Sequence, residues 1–281
     1  DGSFNAFVGN GQPLVVGGQS SQLQAVQAPD DPERITVAMV GIGGTALTLP
    51  ESQIAGGSLG GLLSFRSQTL DWAQNALGRI ALTLAQNFND QHRLGQDLSG
   101  AIGQNFFNVS APSVRSNSLN SGTGAPTVSI DATTIERLTS SDYRLTHNGG
   151  VNYTLTRLSD NAVLVNSAPL PPSVDGFAIA VGGVPLAGDS FLIQPTRSGA
   201  RNIAVAFTDA RQIAAAAPIR TATALTNTGT AGISAGTVNA PSPTNPNLQH
   251  KVTITFASAT SFDVFDVTRA TTLASGVAYT T

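Results

Sequence analysis

Between Glu51 and Ala111 the sequence contains no proline, and inside that window apolar side chains recur at steps of three and four. Leu59, Leu63, Leu70, Ala73, Leu77, Ile80, Leu84 and Phe88 share one stripe, on which Arg66 also falls. Such spacing marks one face of an amphipathic α-helix. It predicts a single helix from Ser58 to His92, roughly 50 Å long at about 1.5 Å per residue. The stripe tends toward the 3.5-residue period of a coiled coil, and the strands before it can cover only one flank. Further helices, from segments outside this chain, are therefore expected to pack on it, and these nine residues are the candidate subunit-packing positions.

Upstream, Phe4 and Phe7, Leu14 to Val16, Ile35 to Val40 and Leu47 to Leu49 form short apolar runs broken by Gly and Pro, read as strands and tight turns. Downstream, a Ser/Asn/Gly stretch from Ser113 to Gly124 reads as a loop or linker. An all-β body over 127–207 follows from pairs two residues apart: Tyr143 and Leu145, Tyr153 and Leu155, Phe177 and Ile179, Ile203 and Val205. Asn148-Gly149-Gly150 and Asp160-Asn161 are its hairpin turns. A short alanine-rich helix is expected at Asp209 to Ala217, capped by Thr208 and ended by Pro218. Residues 219–248 are rich in Thr, Asn, Gly and Pro; strands resume at Val252 to Phe256 and at Phe262 to Val264. Tyr143 to Tyr153 and Val252 to Phe262 are equal steps, so duplication and coincidence both stay open. Compared with the first β body, the last one looks cut short at Thr281, and the absence of an initiating Met suggests a fragment or processed product.

The formal charge is -3, with Lys251 the only lysine and the arginines scattered, so nothing favours nucleic acid. No apolar run approaches the length of a membrane span, and Asp1 to Phe7 lack the order of a secretory signal. Charged residues are 11% of the chain, which leaves a polar, low-charge surface suited to packing against neighbours. The absence of cysteine excludes disulfides, thiol nucleophiles and cysteine metal sites, and suits a role outside the reducing cytosol.

Enzyme-like signals fail on context. Gly41-Ile42-Gly43-Gly44-Thr45-Ala46 fits a dinucleotide fingerprint, but Leu47-Thr48-Leu49-Pro50 follows where a helix must begin, so a glycine hairpin turn is the better reading. His92, His147 and His250 stand apart with no ligand spacing and are assigned surface polar roles. No strained nucleophile turn stands among the serines, and Asp30-Asp31 and Asp160-Asn161 lack the periodicity of a calcium loop. Asn108-Val109-Ser110 and Asn152-Tyr153-Thr154 fit a glycosylation sequon that composition alone produces. Arg66, Asp71, Asn75, Arg79 and Asn87 on the helix are read either as register-setting groups between packed helices or as a solvated face.

The helix also carries a resemblance. Gly56-Gly57-Ser58-Leu59-Gly60-Gly61-Leu62-Leu63-Ser64-Phe65-Arg66, then Leu70, Ala73, Asn75, Leu77 and Leu84-Ala85-Gln86-Asn87-Phe88-Asn89, resemble the flagellar hook-associated proteins of the hook-to-filament junction. The likeness continues through His92, Gly95, Asp97-Leu98, Gly100, Gly103 and Phe106-Phe107. It thins over Gly9 to Val15, Ser141-Asp142-Tyr143, Gly188-Asp189-Ser190-Phe191 with Pro195-Thr196, and Ile213 to Ala216. What it implies is an extracellular structural subunit, exported by the flagellar type III route without a cleaved signal. That subunit would form a homo-oligomeric ring between the hook protein and a second hook-associated junction protein, with an export chaperone at a missing C-terminus. Such proteins are not enzymes, and no cofactor or metal is implied. Lacking the family's long terminal helices, this fragment is expected to be monomeric when isolated.

The expected fold is α+β, a long-helix body with β-hairpins carrying one or two all-β, sandwich or barrel-like outer domains. Its parts are a rod body at 1–107 completed by 208–218, a β domain at 108–207 and the start of a second β domain at 219–281. Competing readings are another axial protein, such as flagellin or the filament cap, and a secreted adhesin or carbohydrate-binding β module.

Overall fold

A computed structural model of the chain describes residues 4–8, 11–41, 44, 46–54, 56–238 and 245–279. The fold is α+β, one long helical segment with several antiparallel sheets and no closed barrel among the described residues. By contact density it divides into two units, one of residues 1–85 with 109–204 and one of 86–108 with 205–281.

In the first unit, β1 (Ala6–Val8), β2 (Gln12–Val16) and β3 (Gln19–Ser20) form one small sheet. A second sheet holds β4 (Gln22–Ala28), β5 (Asp31–Val40) and β6 (Ala46–Thr48), with Val40 opposite Ala46. Residues 42, 43 and 45 of the glycine motif lie outside the described residues, while the Gly44 N–H donates to the Gly41 carbonyl at 3.0 Å. The helical segment follows as α1 (Gly57–Phe65), a π-helical turn at Arg66–Leu70, and α2 (Asp71–His92), whose residues from Gln86 onward belong to the second unit. After β7 (Phe107–Asn108) come β8 (Ser113–Ser116), β9 (Ala125–Ile130), β10 (Tyr143–Gly149), β11 (Asn152–Arg157) and β12 (Ala162–Ala168). β13 (Phe177–Gly182), β14 (Ser190–Gln194) and the single-turn α3 (Gly199–Asn202) complete the first unit's regular elements.

Five of these strands make one antiparallel sheet in the order β12-β11-β10-β14-β8, and β9 pairs with β13 as a separate ribbon. Register places Phe191 opposite Leu145, Leu145 opposite Leu155 and Leu155 opposite Val165, so one apolar row crosses four strands. Side chains from the ribbon, Val128 and Phe177, join that row in the core together with Tyr143, Leu138 and Leu82 of α2. Asn148 to Gly150 and the turn at Asn161, whose φ is 55°, join the hairpins as the sequence predicts. The Ser113–Ser116 segment, expected as part of a linker, is instead edge strand β8 on β14. Polar side chains hide a strand whose purpose is backbone pairing.

The second unit holds the end of α2, the segment after β15 (Ala204–Val205), and a meander of β16 (Val252–Ser258), β17 (Ser261–Asp266) and β18 (Thr271–Ala278). The expected alanine-rich helix at 209–217 does not form. Asp209, not Thr208, caps a single 3-10 turn at Ala210–Gln212 by accepting from the Arg211 N–H, and the chain then extends. Tertiary pairing overrides alanine propensity here: Gln96 and Ala216 exchange backbone hydrogen bonds at 2.8 and 3.2 Å, and the Ala214 N–H donates to a His92 ring nitrogen at 2.9 Å. The described residues of 219–248 carry no helix or strand.

Candidate functional site

Two glycines at positive φ, Gly56 at 83° and Gly57 at 62°, turn the chain into α1. The π turn at Arg66–Leu70 was not legible in the spacing, because one extra residue per turn leaves an apolar stripe almost continuous. It has local partners. The guanidinium of Arg66 donates to the Ile35 carbonyl at 3.1 Å and to Glu51, which ties the turn to the β4–β6 sheet.

Past the π turn α2 has two seams, each on the alternating three-and-four spacing of a heptad. One is Asn75, Gly78, Leu82 and Ala85, all buried against this chain. The other is Ala73, Leu77, Ile80 and Leu84, continued back to Leu70 at the end of the π turn, and Leu77, Ile80 and Leu84 are 60%, 63% and 56% exposed. At about 100° per residue, Leu77 lies some 160° around the helix from Asn75, so the seams face nearly opposite ways. The helix thus turns Asn75, Gly78 and Ala85 inward with Leu82, and turns Leu77, Ile80 and Leu84 outward.

That inversion has a packing reason. A β-carbon built on Gly78 lands on the Thr196 carbonyl oxygen, and one on Gly199 meets the Gly78 carbonyl at 2.7 Å. The helix backbone therefore lies directly against the corner after β14, closer than any larger residue permits. Beside this contact Arg197 donates to Asp71 at 2.7 Å, to the Asn75 side-chain oxygen at 3.0 Å and to Asp142. Asn75 in turn donates to Asp142 at 2.9 Å, and Arg34 donates to the other oxygen of Asp71 at 2.6 Å. Burial pushes the Asp142 carboxyl above the usual range, against the pull of the Arg197 guanidinium. This network holds α2 to β5 and to Asp142 just before β10, and the opposite face stays exposed among the described residues.

The outward face is large for a lone chain. Leu59, Leu62, Phe65, Leu70, Trp72, Leu77, Ile80 and Leu84 are each more than two fifths exposed. Covering one such side chain is worth about 1.5–3 kcal/mol, and exposed apolar side chains recurring in this number along one helical segment point to an interaction site. Among the candidate packing positions, Leu63 is buried within this chain, Ala73 is half-buried and Arg66 is engaged by Glu51 and Ile35. Arg79 and Asn87 are exposed, whereas Asp71 and Asn75 belong to the network above.

In the second unit, Phe88 is 44% exposed and packs edge-on to Phe106 and Phe107, with ring centroids 4.7 and 5.4 Å away. Asn89 accepts from the Phe106 and Phe107 N–H groups, each at 2.8 Å, and donates to the Phe107 carbonyl at 2.9 Å. His92 is not the surface residue expected. It is 5% exposed, its Nδ1 lies 2.6 Å from the Gln104 carbonyl, and its Nε2 accepts from Ala214, which assigns the proton to Nδ1. In the first unit His147 is likewise buried, at 4% exposure, with Nε2 3.1 Å from the Gly150 carbonyl. His250, in the second, pairs with Asp266 at 2.8 Å. A lone histidine in a polar-rich sequence gives no sign of which backbone groups it will satisfy.

Among the described residues no three His, Asp or Glu side chains gather as a metal site requires, and no helix is long and apolar enough to cross a membrane. Among the described residues the apolar face of α2 is left exposed.

Comparison with known proteins agrees with these parts. A model of the flagellar hook-associated protein FlgK helical domain matches residues 1–107, and one described as flagellar hook-associated protein 1, D2-like domain, matches residues 115–195. The flagellar hook-associated protein 1 of Salmonella typhimurium is 37% identical over 219 residues, covering 76% of this chain and 39% of the relative. Its Escherichia coli counterpart is 36% identical over the same length. The chain thus spans about two fifths of the length of these curated relatives. The flagellar hook junction protein FlgK from Burkholderia pseudomallei superposes over the whole of this chain and 53% of its own, with TM-score 0.80 and 35% identity. On this sequence, fold and pair of domain matches, the chain belongs to the flagellar hook-associated protein 1 (FlgK) family.

Proposed function

We propose that the chain works as a structural adaptor at the hook-to-filament junction of the bacterial flagellum, and that it acts by packing and not by catalysis. The outward seam Leu70, Leu77, Ile80 and Leu84 carries this reading, because a helix held by its polar face leaves its apolar face for another helix. Leu59 and Phe88 extend the set of packing positions, while Leu63, Ala73 and Arg66 support it from within. The domains assigned are a rod body at 1–107 with 208–218, a β domain at 108–207 and the start of a second at 219–281.

In the assembled flagellum the subunits form a homo-oligomeric ring between the hook protein and a second hook-associated junction protein. The protein is extracellular, leaves the cell without a cleaved signal peptide, and meets its export chaperone through a C-terminal segment outside this sequence. It has no nucleic-acid or membrane partner and no cofactor, and the isolated fragment is a monomer.

The test is a strain lacking the protein, complemented with the full-length natural protein carrying Leu77→Gln, Ile80→Gln and Leu84→Gln together. Bare hooks and filament subunits shed into the medium are expected, while the purified chain with the same changes keeps its urea midpoint. Normal filaments on the variant strain would remove the seam from the assembly. Saturable glycan binding by residues 127–207, with filaments unaffected, would favour the adhesin reading instead.

A further inference from the structure

The meanders β10–β11–β12 and β16–β17–β18 share one register at a constant offset of 109 residues, Tyr143 corresponding to Val252. Tyr143, Leu145, His147 and Gly149 face Arg157, Leu155, Tyr153 and Asn152; Val252, Ile254, Phe256 and Ser258 face Asp266, Val264, Phe262 and Ser261. The next pair of strands obeys the same offset, with Tyr153, Leu155 and Thr156 opposite Ala168, Val165 and Val163, and Phe262, Val264 and Phe265 opposite Val277, Ala274 and Thr272.

Shared hairpin lengths alone would be unremarkable, but the irregularities coincide too. Each first hairpin shifts register at one place, between His147 and Gly149 and between Phe256 and Ser258. Left-handed residues fall at Asn161 (55°) and Ser167 (46°) in one copy and at Ala270 (53°) and Gly276 (65°) in the other. At the second of these, Ser167 N–H donates to Thr154 Oγ1 at 3.3 Å and Gly276 N–H to Asp263 Oδ1 at 2.8 Å. A bulge and a positive φ are local choices that strand pairing does not impose. Their recurrence makes 252–278 a second copy of the 143–168 unit.

The copies differ in what covers them. In the first, the outer edge of β10 pairs with β14, and Tyr143, Leu145 and His147 are 1%, 0% and 4% exposed. In the second, β16 has only β17 beside it among the described residues, and Val252, Ile254 and Phe256 are 45%, 42% and 44% exposed. An apolar strand edge left open in this way is an aggregation hazard that folded proteins cover. The same offset carries β13 and β14 to about 286–291 and 299–303, past Thr281.

We propose that the open edge and apolar face of the second meander receive the segment of the same polypeptide that follows Thr281. One strand of it, the counterpart of β14, adds antiparallel to Val252–Thr255 in the register that Tyr143–Thr146 keep with Ile193–Ser190. A second, the counterpart of β13, covers Val252, Ile254 and Phe256. The chain spans about two fifths of the length of its curated relatives, which are long enough to hold such a segment. This assignment is independent of the junction reading, since filaments can fail to assemble with the edge still covered.

Amide hydrogen exchange on chain 1–281 and on the natural polypeptide carried on by about thirty residues tests it. The β16 amides not bonded to β17 should exchange on the order of 100-fold slower, or more, in the longer protein. Ile254→Lys should abolish that gain in the longer protein and leave the exchange pattern of chain 1–281 unchanged. Equal exchange in both proteins would overturn the proposal. So would protection of β16 in chain 1–281 that grows with protein concentration, which would assign the edge to a second copy of the chain.

Discussion

Replacing Gly78 by alanine sets two physical effects against each other. In a helix interior alanine is favoured over glycine by about 1 kcal/mol, so an unencumbered position gains stability from the change. At Gly78 the new methyl group would occupy the place of the Thr196 carbonyl oxygen, and the obstruction is backbone, which cannot swing aside as a side chain does. Relief requires α2 to withdraw from the corner after β14, loosening buried Leu82 and Ala85 and stretching the bonds from Arg197 to Asp71 and Asn75. Overpacking costs about 1–3 kcal/mol where side chains can yield, and this site sits at or above the top of that range. Net destabilisation of about 2 kcal/mol or more is expected. Gly61→Ala, on α1 with nothing within 4 Å of the added carbon, is expected to stabilise by up to about 1 kcal/mol. Urea unfolding followed by the fluorescence of Trp72, the only tryptophan, reads both. Two variants shifted in the same direction would refute the close approach of α2 to Thr196.

Three further outcomes follow from the same contacts. Arg197→Ala leaves the buried Asp142 carboxylate without a guanidinium and Asp71 with Arg34 alone, and should cost about 3–5 kcal/mol, whereas Arg144→Ala, whose pair with Asp30 is half exposed, should cost less than about 1 kcal/mol in the same urea assay. Asn89→Ala removes the acceptor for Phe106 and Phe107 and should cost about 1–3 kcal/mol, read by exchange of those two amides. Asp189 accepts from the Leu186, Ser121 and Gly122 N–H groups, which hold its carboxyl below the usual range. A depressed folded-state value stabilises at pH above the ordinary carboxylate value of about 4, and that stabilisation is lost as pH falls through the folded value. The gap in urea midpoint between the natural protein and Asp189→Asn should therefore shrink below about pH 4; a constant gap from pH 7 to pH 3 would contradict this.

The outward seam of α2 was legible because Leu77, Ile80 and Leu84 carry hydropathy, and period alone reveals them. Its inward seam was not, although Asn75, Gly78, Leu82 and Ala85 keep the same spacing, because asparagine, glycine and alanine give no apolar signal. The useful clue was Gly78, a poor helix residue in mid-helix, which marks close backbone approach. The hairpins at Asn148 to Gly150 and at Asn161 were readable because their turn residues tolerate positive φ. Strand β8 and the stretch 209–217 were misread for a common reason: both are set by pairing with distant backbone, on β14 and on Gln96, which local composition does not encode. Equal steps from Tyr143 to Tyr153 and from Val252 to Phe262 hinted at duplication, and only the matching bulges and left-handed residues decide it.

Because residues 1–281 contain no cysteine, one thiol introduced there reports on the seam, once labelling of the same protein without it is subtracted. Ile80→Cys is 63% exposed as isoleucine and should react rapidly with a maleimide in the isolated chain. In flagella assembled from the full-length protein carrying the same change, the thiol should be shielded, with labelling slowed on the order of 100-fold or more as for a buried interface position. Labelling at the same rate in isolated chain and intact flagella would show that the outward face of α2 stays open, and would contradict its role as the packing surface.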